Sequence, residues 1–352
     1  MKEIKANNYS IYFSSSGYRE LDLFIKANNY SQIFIHLDDN TKKHCLEVFL
    51  KQIQKFNFNK ILSKPGEKNK NLKSCVQLWD KLSLLSGDRK SLILNLGGGV
   101  VGDMGGFIAS TFKRGIDYIN IPTTLLSMVD ASIGGKTGID LGILKNQIGT
   151  FYDPKMVIVD PIYLETLNKN ELISGYAEIF KHSIISSSEI FDKLISTNTD
   201  INFKNLQTIR NSIKIKNEIV LVDKKENKER KALNFGHTLG HAIESYFLNS
   251  KNRLLHGEAI AIGIVLASYI SSKLFGFSSQ KLNSIKSHIL SIYNKVLFNK
   301  NDIDRIIKLL VHDKKNSHGK INFILIKDIG KPVYDIEVDN NLIIKAFKYY
   351  SI

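Results

Sequence analysis

The run Ser91 to Leu96, SLILNL, ends in the glycine-rich segment GGGVVGDMGGF. An aliphatic strand that breaks into glycines ahead of a helix-compatible stretch is the joint of a parallel β-α unit, and it leaves the chain few folds to choose from. The same alternation lies on either side. Upstream, Ser31 to Leu37 (SQIFIHL) and Lys60 to Ser63 read as strands, with helices near Thr41 to Gln54 and Asn71 to Leu85. Downstream, Asp117 to Ile121 reads as another strand, followed by Pro122 and a possible cap at Thr123. Strands and helices taking turns at this spacing predict an α/β domain of Rossmann-like build, a parallel sheet covered by helices.

From about Pro161 the strand signals fade. Helical periodicity carries Glu165 to Ile195, Leu206 to Val220 and Leu233 to Phe275, which predicts an all-α C-terminal domain. The expected boundary is near residue 160, giving domains 1–160 and 161–352, and 352 residues exceed the roughly 250 to 300 at which a single core stops growing. One strand-like run, Ile321 to Ile326, has no place in this scheme.

Composition narrows the function. Cys45 and Cys75 are the sole cysteines, too few for a disulfide framework or a cysteine-bound zinc, so any metal must use histidine and carboxylate. The longest apolar run, Ala259 to Ile270, falls short of the roughly 20 residues that cross a bilayer. With no charged-then-apolar opening segment, a cytoplasmic protein without a membrane partner is expected. The net charge of +15 is spread along the chain rather than gathered in one arm. This argues against nucleic acid and for an anionic small-molecule substrate.

Gly97, Gly99 and Gly102 spell GxGxxG in the strand-to-helix context where backbone N–H groups approach a pyrophosphate. The acidic partner expected roughly 20 residues later is not obvious, and Asp103 is equally readable as a helix cap. Asp38, ending the strand SQIFIHL, is an alternative ribose contact, while Pro65 to Lys70 (PGEKNK) reads as a polar loop. Asp130 to Lys136 (DASIGGK), then Lys145 and Asn146, lie in a loop-like stretch whose lysines suit a phosphate or carboxylate.

Three of nine histidines gather at the second domain: His237 and His241 in NFGHTLGHAIE, and His256 in LLHGEA. Four residues apart on a helical pattern, the first two share a face, and neutral imidazoles held together are ligands for a zinc-type cation. Glu178 and Lys181 in GYAEIFKH are three apart, a spacing that usually means a surface ion pair, although a carboxylate on a facing helix would complete a zinc site. Arg230 precedes His237 by about two turns. Lys314 and Lys315 add another basic cluster, so a polar cleft between the two domains is expected.

Taken together, GGGVVGDMGGF, RGIDYINIPTTLLSMVDASIGGKTGID, LKNQIG, GYAEIFKH, ERKALNFGHTLGHAIE and LHGEA resemble the 3-dehydroquinate synthase family of sugar-phosphate cyclases, from about residue 60 to 320. The resemblance implies conversion of 3-deoxy-D-arabino-heptulosonate 7-phosphate to 3-dehydroquinate and phosphate in the shikimate pathway. NAD would be used and regenerated in each turnover, with a divalent metal, zinc or cobalt. It implies Glu178, His237 and His256 as metal ligands. NAD contacts would be Asp38, Pro65, Gly66, Glu67, Lys68, Asn69, Lys70, Gly99, Val100, Val101, Gly102, Asp103, Thr123, Thr124, Lys136, Lys145, Tyr163, Leu164, Glu165 and Thr166. Substrate would meet Asp130, Lys136, Asn146, Lys181, Lys216, Arg230, Asn234, His241 and Lys314, with Arg114 reaching across a homodimer interface. Three other readings remain: a cyclase making an aminocyclitol or valiolone-like ring, a metal-dependent polyol dehydrogenase, and a non-catalytic nucleotide-binding module.

Overall fold

Every residue of the run Ser91–Gly97 is buried, as happens to a strand in the middle of a sheet covered on both faces. The computed structural model describes residues 3–142, 144–196, 201–248, 250–310 and 321–352. The chain divides into two units, Met1–Asn168 with Lys204–Asn217, and Lys169–Phe203 with Glu218–Ile352. The division thus falls eight residues beyond the expected one, and one later segment returns to the first unit.

The first unit begins with β1 (Glu3–Lys5), β2 (Ser10–Phe13), α1 (Ser14–Asn28), β3 (Gln32–Asp38), α2 (Asp39–His44), α3 (Leu46–Leu50), β4 (Asn59–Ser63) and α4 (Leu72–Leu84). It continues with β5 (Ser91–Gly97), α5 (Gly99–Thr111), β6 (Asp117–Pro122), β7 (Lys136–Leu141), β8 (Leu144–Phe151) and β9 (Met156–Val159). Seven strands form one sheet in the order β1-β2-β9-β6-β5-β3-β4, parallel except for the β1–β2 pair. Neighbours β3 and β5 send their chains to opposite sides, toward β4 and β6, which is the switch point where open parallel sheets place ligands.

Two expectations change here. The helix near Thr41 to Gln54 is two short helices broken at Cys45, with Cys45, Leu46 and Phe49 all buried at the break. The loop-like stretch around Lys145 is instead the antiparallel hairpin β7–β8. Its glycines serve close approach rather than looping: a Cβ on Gly149 would stand 2.1 Å from the Thr137 carbonyl oxygen.

The second unit holds α6 (Lys169–Ser186), α7 (Ser188–Ser196), the end of α8 (Leu206–Val222), α9 (His237–Phe247), α10 (His256–Phe275), α11 (Ser279–Ile292) and α12 (Lys300–Leu309). The hairpin β10 (Asn322–Asp328) and β11 (Lys331–Glu337), then α13 (Asn340–Ser351), complete it. The strand-like run at Ile321 is thus half of a hairpin inside a helical unit, with Phe323 to Ile326 buried. The expected helical stretch from Leu233 to Phe275 is divided, because Gly236 adopts φ +80° before α9 and a turn precedes α10. α10 is long and apolar enough to cross a membrane, yet 67% of that window is buried within the protein. It lies close against its neighbours: a Cβ on Gly257 would meet the Ser174 carbonyl oxygen at 1.9 Å, and one on Gly263 that of Gly236 at 2.1 Å. These contacts bring the starts of α9 and α10 beside the middle of α6.

Candidate active site

In the first unit the glycines end β5 and open α5. The helix has Gly98 at its N-cap with no side-chain cap, so its first N–H groups have no side-chain acceptor there. The residues from Gly99 through Val100, Val101, Gly102 and Asp103 form its first turn. Asp103 is therefore not the cap: its carboxylate accepts from the Lys70 ammonium at 2.6 Å. Lys70, 3% exposed, also donates to Asn146 Oδ1 at 2.5 Å. Burial opposes its charge, but Asp103 and Glu67 outweigh it and raise its pKa. Lys145 lies 3.5 Å from Glu67. Hence Glu67, Lys70, Asp103, Lys145 and Asn146, scattered in the sequence, form one charged network in this unit.

The other cofactor candidates are placed unevenly. Pro65 and Gly66 lead into a 3-10 turn at Glu67–Asn69, with Lys68 exposed and the Asn69 amide bonded to the Pro65 carbonyl. Thr123 is buried at the end of β6, and Thr124 hydrogen-bonds Ser127. Asp38 is engaged as the N-cap of α2, accepting from the backbone and hydroxyl of Thr41. Tyr163 is buried against the Tyr18 hydroxyl, and the side chain of Leu164 is fully buried. Glu165 pairs with Lys204 at 2.8 Å, and Thr166 is exposed beside it. Lys136 starts β7 and is exposed, as is Arg114 in the 3-10 turn after α5. Lys216 donates to both the carbonyl and Oδ1 of Asp130, each at 2.6 Å. Two residues that the resemblance implies as substrate contacts therefore meet directly.

In the second unit Glu178 and Lys181 do not form the expected surface pair. Their side chains are 0% and 1% exposed, and the ammonium binds Oε2 of Glu178. Oε1 receives no hydrogen bond, a costly state for a buried carboxylate oxygen. It faces His237 Nε2 at 3.3 Å and His256 Nε2 at 3.7 Å. Nδ1 of His237 is 3.3 Å from the Phe235 carbonyl, and Nδ1 of His256 is 3.1 Å from Glu244. With those nitrogens donating, both Nε2 lone pairs turn toward Glu178 Oε1. Burial would raise the Glu178 carboxyl, but Lys181 and His237 hold it well below the usual carboxylate range. Burial would lower His256, but Glu244 and Glu178 raise it to about 10, so a cation binding at Nε2 must displace a proton to gain its lone pair.

His241 follows one turn after His237, with their rings 5.1 Å apart, and its ligand atom lies within 4.8 Å of those of His237 and His256. A divalent cation thus has two overlapping donor sets, the three histidines or Glu178 with His237 and His256. Arg230 is buried and donates to the Lys224 carbonyl, while Asn234 donates to Glu226. Lys314 lies outside the described residues. Glu226 and Glu244 are absent from the expected set. The signal for Glu244 was its place in HAIE, two helical turns after His237.

The family models for the N-terminal and C-terminal parts of 3-dehydroquinate synthase match residues 60–174 and 175–316. A 3-dehydroquinate synthase of Parabacteroides distasonis is 42% identical over 334 residues, 94% of each chain. One of Pelagibacter ubique is 38% identical, covering 96% of this chain and 94% of its own. Among solved structures, 2-epi-5-epi-valiolone synthase of Streptomyces hygroscopicus subsp. jinggangensis, with NAD+ and Zn2+ bound, has a TM-score of 0.84 at 25% identity over 99% of this chain and 98% of that one. The matched segments include the glycine turn, the Glu178–Lys181 pair and all three clustered histidines, and on that agreement this chain belongs to the 3-dehydroquinate synthase family.

Proposed function

We propose that this chain converts 3-deoxy-D-arabino-heptulosonate 7-phosphate to 3-dehydroquinate and phosphate, with NAD and a divalent cation, zinc or cobalt. The observation that carries the reading is the convergence of two imidazole Nε2 atoms on the unbonded Oε1 of Glu178. Two neutral nitrogens and one carboxylate form a three-ligand set of the kind found in catalytic zinc sites, which keep a position open. It is preferred to the three-histidine set because a cation there also satisfies Glu178 Oε1 and leaves His241 outside the ligands.

The glycine turn would hold the dinucleotide, and Glu178, His237 and His256 the cation; the two would supply reversible hydride transfer and Lewis acidity toward substrate hydroxyls. The protein supplies the remainder. Lys181, paired with Glu178, and Arg230 hold anionic groups of the substrate, as do Lys136 and Asn146. Lys216, set by its two bonds to Asp130, is a fixed cation for phosphate or developing enolate charge. Asn234, oriented by Glu226, donates or accepts at a substrate hydroxyl. A ring nitrogen of His241 relays the proton released from the oxidised hydroxyl. Glu67, Lys70, Asp103 and Lys145 surround the dinucleotide phosphates at the N-terminus of α5. The chain acts as a cytoplasmic homodimer, with exposed Arg114 offered to the partner's substrate.

The test is incubation with the heptulosonate phosphate, catalytic NAD and zinc. Phosphate and 3-dehydroquinate should appear together without net accumulation of reduced NAD. Lasting reduction of NAD would favour a polyol dehydrogenase, and turnover of another sugar phosphate alone would favour a different cyclase.

A further inference from the structure

Four adjacent parallel strands carry a polar row where such a sheet is ordinarily aliphatic. On the face toward α5, Ile61, Phe34, Ile93 and Tyr118 belong to the hydrophobic core. Two residues further along each strand, on the same face, stand Ser63, His36, Asn95 and Asn120, none more than 7% exposed. They bond in sequence across the sheet. Ser63 Oγ lies 3.2 Å from His36 Nε2, His36 Nδ1 lies 3.2 Å from Asn95 Oδ1, and Asn95 Nδ2 donates to Asn120 Oδ1 at 3.0 Å. Because the last bond uses the Asn95 amide as donor, its oxygen accepts from His36 Nδ1–H and the Ser63 hydroxyl donates to Nε2.

The row is built into the approach of α5. A Cβ on Gly105 would stand 1.9 Å from Asn95 Oδ1 and 2.7 Å from His36 Nδ1, so only glycine seats the helix here. Burial pushes His36 down to about 4, against the pull of Asn95 and the Val101 backbone. It therefore stays neutral at ordinary pH, with one ring nitrogen donating and the other accepting.

The row ends at a small open cleft lined by Asn95, Asn120, Gly98, Gly99, Gly102 and Asp103, among others. Asn120 Nδ2 donates to no group among the described residues. A donor at the wall of this cleft is open to an acceptor oxygen of a ligand or to water.

We propose that Asn120 binds the dinucleotide through Nδ2, donating to an acceptor oxygen of the cofactor beneath the glycine turn, and that Ser63, His36 and Asn95 are positioning residues that fix its amide. This rests on the dinucleotide reading above. It adds a binding residue on β6 that the glycine motif does not contain, and it assigns a purpose to a polar row that would otherwise only weaken the sheet.

The test is NAD binding by calorimetry without substrate, beside the thermal midpoint of each protein. Asn120→Leu should bind NAD about tenfold more weakly, the worth of one hydrogen bond to a charged acceptor. Asn120→Asp keeps the acceptor for Asn95 but sets a carboxylate toward the cofactor, and should weaken binding at least as much. His36→Leu should weaken it severalfold, and His36→Gln, which can again accept from Ser63 and donate to Asn95, should restore it. Should Asn120→Leu fail to fold, Asn120→Asp carries the test. Unchanged NAD affinity in folded Asn120 variants overturns this inference while leaving the cofactor reading intact. Absence of NAD binding by the unaltered protein overturns both.

Discussion

Nδ1 of His256 lies 3.1 Å from Oε2 of Glu244, and both groups are largely enclosed within the helical unit. The carboxylate holds the imidazole in the tautomer whose Nε2 points at Glu178. An imidazole oriented in this way is a better metal ligand than one left to rotate.

Glu244→Gln should therefore weaken metal retention about 10- to 100-fold without removing a ligand. Competition against a graded series of chelators measures this directly. Zinc affinity equal to that of the unaltered protein would show that Glu244 does not set the ligand.

Glu178→Gln should cost the metal-free protein about 3 to 5 kcal/mol, because Lys181 is left as a buried cation with its carboxylate gone. Adding Lys181→Met should recover most of that loss, while metal binding stays absent in both. Urea unfolding of the two variants and Lys181→Met closes the cycle. Additive losses would mean that the pair does not act as a unit.

Acid should destabilise both units through neutral buried histidines. His36 and His288 are each held down at about 4, mainly by burial, and the Tyr176 hydroxyl lies 2.9 Å from His288 Nε2. In the unfolded chain each titrates near 6.5, so their stabilisation is complete above that pH and is lost as pH falls toward 4. The loss is about 3 kcal/mol per histidine. Urea midpoints between pH 7 and 4 should flatten in His36→Leu and in His288→Leu; an unaltered slope in both would count against this account.

Lys216→Met should lower turnover about a hundredfold, the usual cost of one preorganised donor. Zinc content should be unchanged, since Lys216 and its partner Asp130 lie in the first unit and all three proposed ligands in the second. Loss of zinc together with activity would assign Lys216 a structural role instead.

How far the sequence was legible depended on the range of the interaction. Alternating strands and helices, the strand-to-glycine joint at Gly97 and the shared face of His237 and His241 arise from contacts within a few residues, and patterning exposes these. The hairpin at Lys145 was misread because glycines that allow two backbones to touch look like glycines that loop. Glu178 and Lys181 were readable as neighbours, but not as buried ones. Spacing reports which residues share a helix face; which face the core covers depends on distant helices.

The sequence by itself determined the parallel sheet, the glycine turn, the helical half and, through its resemblance, the family and the candidate residues. Only the tertiary structure brought Glu178 Oε1 against the two Nε2 atoms, joined Lys216 to Asp130 and aligned Ser63, His36, Asn95 and Asn120 into one row. Each of these joins atoms separated by tens of residues. Their meeting is decided by sheet order and helix packing, which bury many side chains at once and leave no local periodicity to read.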